Sequence, residues 1–130
     1  MSHDDEIQWE EHSLNFVEMA YNMDNRGRVE NPDGYGKRKG ECGDTIEMFL
    51  TIAEGRIKNV TFDLDGCLNT SATGNTVAHL TMGKTVKAAW DTTIEEVIIF
   101  LGTLPADHYH CAELALGAFY LALSDYEKKA

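Results

Sequence analysis

The residues best suited to chemistry in this 130-residue chain are its three cysteines. Each sits in a turn rather than in an apolar run: Cys42-Gly43-Asp44, Gly66-Cys67 and His110-Cys111. The thiolate, not the thiol, binds metal and attacks sulfur. Sites rich in thiolate select zinc, Cu(I) or iron–sulfur clusters. Cys42, Cys67 and Cys111 therefore read as a soft-metal ligand set, with Asp44 or His110 as the fourth donor and Gly43, Gly66 and His108 adjacent to it. No C-x-x-C pair occurs, and such a pair is what a rigid zinc knuckle shows. The expected site is thus assembled from distant segments and partly open. The competing reading is that the three thiols only pack as small hydrophobes, which spacing alone leaves open.

The elements that must bring these residues together follow from hydrophobic periodicity. Ile7, Leu14, Val17 and Tyr21 recur at roughly helical spacing, which predicts an N-terminal helix within residues 1–23. The Pro and Gly density of residues 24–41 predicts a flexible loop. Ile46, Met48, Leu50 and Ile52 then alternate with Thr45, Glu47, Phe49 and Thr51; after Glu54-Gly55, Val60, Phe62 and Leu64 alternate with polar residues. That pattern predicts an antiparallel hairpin whose ends bring Cys42 close to Cys67. Helices are expected over 70–82, at Thr85–Trp90, after a capping box at Thr92 and Glu95, and from Tyr109 to Tyr126. The last of these delivers Cys111. Helix starts favour the thiolate, so Cys67 and Cys111 each have a local reason to ionise. The order of elements gives an α+β domain spanning residues 1–130, a small antiparallel sheet of about three strands with helices packed on one face.

Composition narrows the partners. With 22 Asp+Glu against 11 Lys+Arg the net charge is −11, which argues against a nucleic-acid partner. No apolar stretch is long enough to span a membrane, and the acidic N-terminus lacks the apolar core of a signal peptide. A cytoplasmic protein with free thiols is the expectation, and the odd cysteine count agrees with it. Gly83-Lys84-Thr85 ends like a phosphate loop, but position 78 holds Ala78 where the first glycine would stand. The Lys37-Arg38-Lys39 run lies near Cys42 and leaves open a role in raising its thiolate population or docking an acidic group.

In order and spacing, Asn31-Pro32-Asp33-Gly34-Tyr35-Gly36, Cys42-Gly43-Asp44, Asp65-Gly66-Cys67, Gly83-Lys84-Thr85-Val86, Leu104-Pro105 and His110-Cys111-Ala112 together resemble the IscU/NifU N-terminal family of iron–sulfur cluster assembly scaffolds. The resemblance implies a carrier rather than an enzyme. Cys42, Cys67 and Cys111 would hold a transient [2Fe–2S] cluster or iron, or zinc in its place. Asp44 would labilise the cargo, His110 would be a fourth-ligand candidate, and Cys111 would accept sulfur. It implies a cysteine desulfurase and apo iron–sulfur proteins as partners, and leaves a homodimer open. The family's Leu-Pro-Pro-Val-Lys segment, which docks an Hsp70-type chaperone in the housekeeping branch, is here Leu104-Pro105-Ala106-Asp107-His108, so chaperone docking is not implied. The alternative on the same fold is a zinc-binding or sulfur-carrier protein that never builds a cluster.

Overall fold

The alternation in residues 45–65 becomes the centre of the sheet. In the computed structural model, which describes residues 12–41 and 43–130, β2 (Thr45–Ala53) and β3 (Arg56–Asp65) pair as an antiparallel hairpin. Glu54 and Gly55 take φ of 55° and 72°, the left-handed pair that suits a two-residue connection between twisted strands. Ile46, Met48, Leu50, Val60 and Phe62 are fully buried on the face turned toward the helices. Phe49, on the opposite face, is buried as well: the Arg28 guanidinium lies 5.1 Å above its ring and Tyr35 packs beside it.

Residues 24–41 are not one loop. Gly34–Lys39 form β1, which pairs antiparallel with β2 from Gly34↔Leu50 to Lys39↔Thr45, giving the order β1-β2-β3. Alternation fails to announce this strand because its inward positions are Gly34 and Gly36, while Lys37, Arg38 and Lys39 are exposed. The glycines are needed for space. A Cβ on Gly36 would lie 2.5 Å from Ala122 N and 2.8 Å from Leu121 Cβ of α5 (Tyr109–Lys129). Their absent side chains let the helix backbone rest directly on the strand. On the far side, Phe62 N donates to Asn25 O and Gly27 N donates to Phe62 O, so residues 25–27 cover the β3 edge; among the described residues no strand pairs with the outer edge of β1, where Tyr35 N donates to Asp125 Oδ2.

The helices lie on the buried face. Ser13 caps α1 (Leu14–Tyr21) by accepting from Phe16 N; residues 7–11 of the expected helix lie outside the described residues. The central helix α2 (Leu68–Thr81) packs against α1, α4 (Ile94–Leu101), α5 and β3. Buried from Thr70 to Ala78, it carries small polar residues that bond to backbone carbonyls: Thr76 and Thr81 donate to those of Ala72 and Val77 in their own helix. Asn75 Nδ2 donates to the Met19 and Asn22 carbonyls at 2.6 and 2.9 Å, tying down the end of α1. Gly74 interrupts the helical pattern because the Phe62 ring occupies the space its side chain would fill. A short α3 (Val86–Ala89) follows, and the capping box of α4 is Thr93 with Glu96, one residue later than expected. Gly102, at φ 75°, ends α4. A 3₁₀ turn at Ala106–His108 then runs straight into α5.

Candidate functional site

Three elements supply the site. Cys67 is the N-cap of α2, at the end of β3. His108 closes the 3₁₀ turn, and Cys111 lies three residues on, one helical turn away and on the same side. The Cys67 Sγ, the Cys111 Sγ and a His108 ring nitrogen all lie within 4.8 Å of one another, with His108 Nδ1 3.9 Å from the Cys111 sulfur. Ligands about 2.0–2.3 Å from one tetrahedral ion stand roughly 3.3–3.8 Å apart. The trio is therefore within about an ångström of the spacing that a shared small metal ion needs.

Of the residues singled out in the sequence, Cys67 and Cys111 come together and Cys42 lies outside the described residues. Next to it, Gly43 takes φ 91° in the turn where Gly40 N donates to Asp44 O. His110 Nε2 is 3.7 Å from the Cys111 sulfur, yet His110 is not part of the group that includes Cys67. It lines a separate cleft with Arg38, Lys39 and Glu113. His108, expected only as a neighbour, is the imidazole that closes the trio. Asp44 is outside it too: its Oδ2 accepts from the Thr70 hydroxyl at 2.7 Å, and Thr70 Oγ1 in turn stands 3.7 Å from the Cys67 sulfur and 3.8 Å from the Cys111 sulfur. Thr70 and Asn69, whose Nδ2 approaches the Cys67 sulfur at 3.8 Å, carry no sequence signal of their own. The one available clue was their place in the first turn of a helix capped by a cysteine.

The two thiols ionise very differently because they share a hydrogen bond. Cys67 is held down to about 4, first by the hydrogen bond from Cys111, then by Thr70 and Asn69 at the helix start, while burial opposes. Cys111 is pushed up, first because it supplies that bond and then by burial. Cys67 is half-buried and borders a cleft lined by Tyr21, Met23, Arg26 and Leu64, whereas Cys111 is fully enclosed. Of these two thiols, Cys67 is the more exposed and the one whose ionisation is favoured.

Fold and donor set together define a small α+β domain that brings two cysteine sulfurs and one imidazole together. Residues 12–130 match the NifU-like N terminal domain, and the chain belongs to that family. It is 33% identical over 109 residues to the iron–sulfur cluster assembly scaffold protein IscU 1 of Archaeoglobus fulgidus, covering 83% of this chain and 71% of that protein. It is 26% identical over 122 residues to the scaffold protein IscU of Aquifex aeolicus, covering 92% and 78%. These relatives are named as scaffolds, not enzymes. The crystal structures of a SUF-system scaffold protein from Fervidobacterium islandicum and of the N-terminal part of a NifU-like protein from Brucella abortus each superpose with a TM-score of 0.72 at 18% identity. They cover 90% and 91% of this chain, and 99% and 95% of their own. At that identity they speak for the fold. No helix among the described residues is long and apolar enough to cross a membrane.

Proposed function

We propose that this protein is an iron–sulfur cluster assembly scaffold: it collects iron and sulfur on Cys67, Cys111 and Cys42, builds a [2Fe–2S] cluster as cargo, and passes it on. The observation that carries this reading is the trio of two sulfurs and one imidazole nitrogen within 4.8 Å of one another. A nitrogen donor in place of a further sulfur suits a carrier, because soft iron–sulfur cargo is held most firmly by thiolate. His108 is the ligand that the geometry favours, with His110 as the alternative on the other side of Cys111.

Sulfur would arrive from a cysteine desulfurase. The Cys67 thiolate attacks the outer sulfur of the desulfurase persulfide, forming Cys67–S–SH and releasing the desulfurase thiolate. Cys111, close beside it, can take that sulfur by the same exchange as its proton passes to the departing Cys67 thiolate, and an external two-electron donor must reduce the persulfide sulfur to sulfide before it enters a cluster. Apo iron–sulfur proteins would receive the finished cargo, with Asp44 acting as the group that loosens it.

The test is anaerobic reconstitution with ferrous iron, sulfide and reductant. A thiolate-to-iron charge-transfer absorbance, lost in Cys67→Ala and Cys111→Ala, is expected. A colourless protein with one tightly held zinc would replace this reading with the zinc-holding alternative. Asp44→Ala should give a longer-lived cluster that transfers more slowly to an apo-ferredoxin; unchanged or faster transfer would remove that role from Asp44.

A further inference from the structure

Thr70 is fully buried and is the one described residue whose side chain contacts Asp44, Cys67 and Cys111 together. A hydroxyl has one proton, and an ionised carboxylate can only accept. At 2.7 Å that proton goes mainly to Asp44, with the Cys67 and Cys111 sulfurs, at 3.7 and 3.8 Å, as much weaker partners of the hydroxyl. Asp44 is thereby tied one hydroxyl away from the sulfurs. Gly66 supports the same arrangement. Its φ is not left-handed, so backbone conformation does not call for glycine there. Space does: a Cβ on Gly66 would lie 2.8 Å from Thr70 Oγ1 and 3.0 Å from Asp44 Oδ2. The glycine before Cys67 makes room for the Thr70–Asp44 pair.

We propose that Thr70 is a positioning residue that holds the Asp44 carboxylate back from the metal, so that Asp44 reaches a metal on the thiols only by giving up its bond to Thr70. This deepens the scaffold reading and rests on it for its metal-bound consequences. Thr70 then sets how readily Asp44 intrudes, and through it how readily cargo leaves. Changes to such supporting partners shift metal affinity by about 10–100-fold.

The probe is Co(II), whose visible bands report its ligands, in wild type, Thr70→Val and Thr70→Ser, each also in an Asp44→Ala background. Thr70→Val is expected to shift the bands and to release Co(II) to a chelator about 10-fold faster. Thr70→Ser, which keeps the hydroxyl, should behave as wild type, and the Val effect should vanish without Asp44. Equal spectra and release rates for Thr70→Val and wild type would overturn the proposal, as would a Val effect that persists in the Asp44→Ala background. A metal-free measurement separates this from the wider reading: the Thr70 hydroxyl proton should be visible by NMR in wild type and lost in Asp44→Ala. Were wild type to bind no Co(II), the metal reading would fail, and that proton would decide for Thr70 if lost and against it if unchanged or never seen.

Discussion

Replacing Gly36 with alanine tests how the strand and helix that carry the fold hold the site in place. The new Cβ would meet Ala118 O first and stand 2.5 Å from Ala122 N, where ordinary contact begins at about 3.4 Å, so α5 must retreat by roughly 1 Å. The obstructing atoms include helix backbone, and β1 is pinned by its pairing with β2, so no side-chain rotation relieves the clash. Overpacking of this kind costs about 1–3 kcal/mol, and backbone opposition places it at the upper end. The stiffer unfolded chain returns roughly 0.4–1 kcal/mol, because Gly36 is not in the left-handed region. The net is about 2 kcal/mol. At about 2.1 cal/mol/K of unfolding entropy per residue, a 130-residue chain should melt roughly 7 °C lower. The site should suffer as well: Cys111 lies seven residues before Ala118 on the displaced helix, about 10 Å along its axis, and metal ligands tolerate displacements of only about 0.2 Å. Zinc affinity, measured by competition with a chromophoric chelator, should fall at least about 10-fold. Gly40→Ala is the control, since its Cβ would make only ordinary contacts, with Leu114 side-chain atoms at 3.5 and 3.6 Å and Asp44 O at 3.8 Å, and should leave the melt unchanged or slightly raised. A Gly36→Ala melt within 2 °C of wild type (roughly a quarter of the expected shift), or an equal loss in Gly40→Ala, would refute the account of why β1 is glycine-rich.

The remaining predictions concern the thiols, their neighbours and the helix caps. Cys67, whose ionisation is depressed, remains thiolate as pH falls until about 4, so in metal-free protein its alkylation rate at pH 6 should be within about two-fold of that at pH 8, whereas an ordinary thiol slows roughly 75-fold; peptide mapping that shows the ordinary fall at Cys67 would contradict its ionisation. His108→Ala should weaken zinc binding by about 10-fold or more and His110→Ala by much less; isothermal titration giving the reverse order would place the ligand on the other side of Cys111. Thr93→Ala removes the capping box of α4 and should lower stability by about 1 kcal/mol in urea denaturation with metal binding unchanged; a loss confined to metal binding would contradict its purely structural role.

Much of this molecule is written in its sequence, for reasons that can be named. The hairpin was legible because one face of each strand is buried and the other, Phe49 apart, is not, which forces alternation at Ile46, Met48 and Leu50. The neighbourhood of Cys67 and Cys111 was legible because both lie at helix starts. β1 was illegible because its packing works through absent side chains: Gly34 and Gly36 admit a helix, and a strand that packs by glycine resembles a loop. His108 was undervalued against His110 because adjacency in sequence is not adjacency on a helix, where the third residue along, not the next one, shares a side. Thr70 was invisible because a threonine in a helix rich in threonine gives no hint of which hydroxyl faces a carboxylate.

One lateral border of the sheet is sealed by residues 25–27, and the other ends in Lys37, Arg38 and Lys39. Among the described residues no strand pairs with that second border, and self-association through strand pairing would begin there. Two copies meeting there would crowd three cations from each chain into one seam, a repulsion that exposed strands commonly use to keep from polymerising. The cationic run so conspicuous in an otherwise acidic chain thus doubles as a guard against fibre growth, and neutralising it should make concentrated solutions cloud sooner, most of all when added salt screens the repulsion between the acidic surfaces.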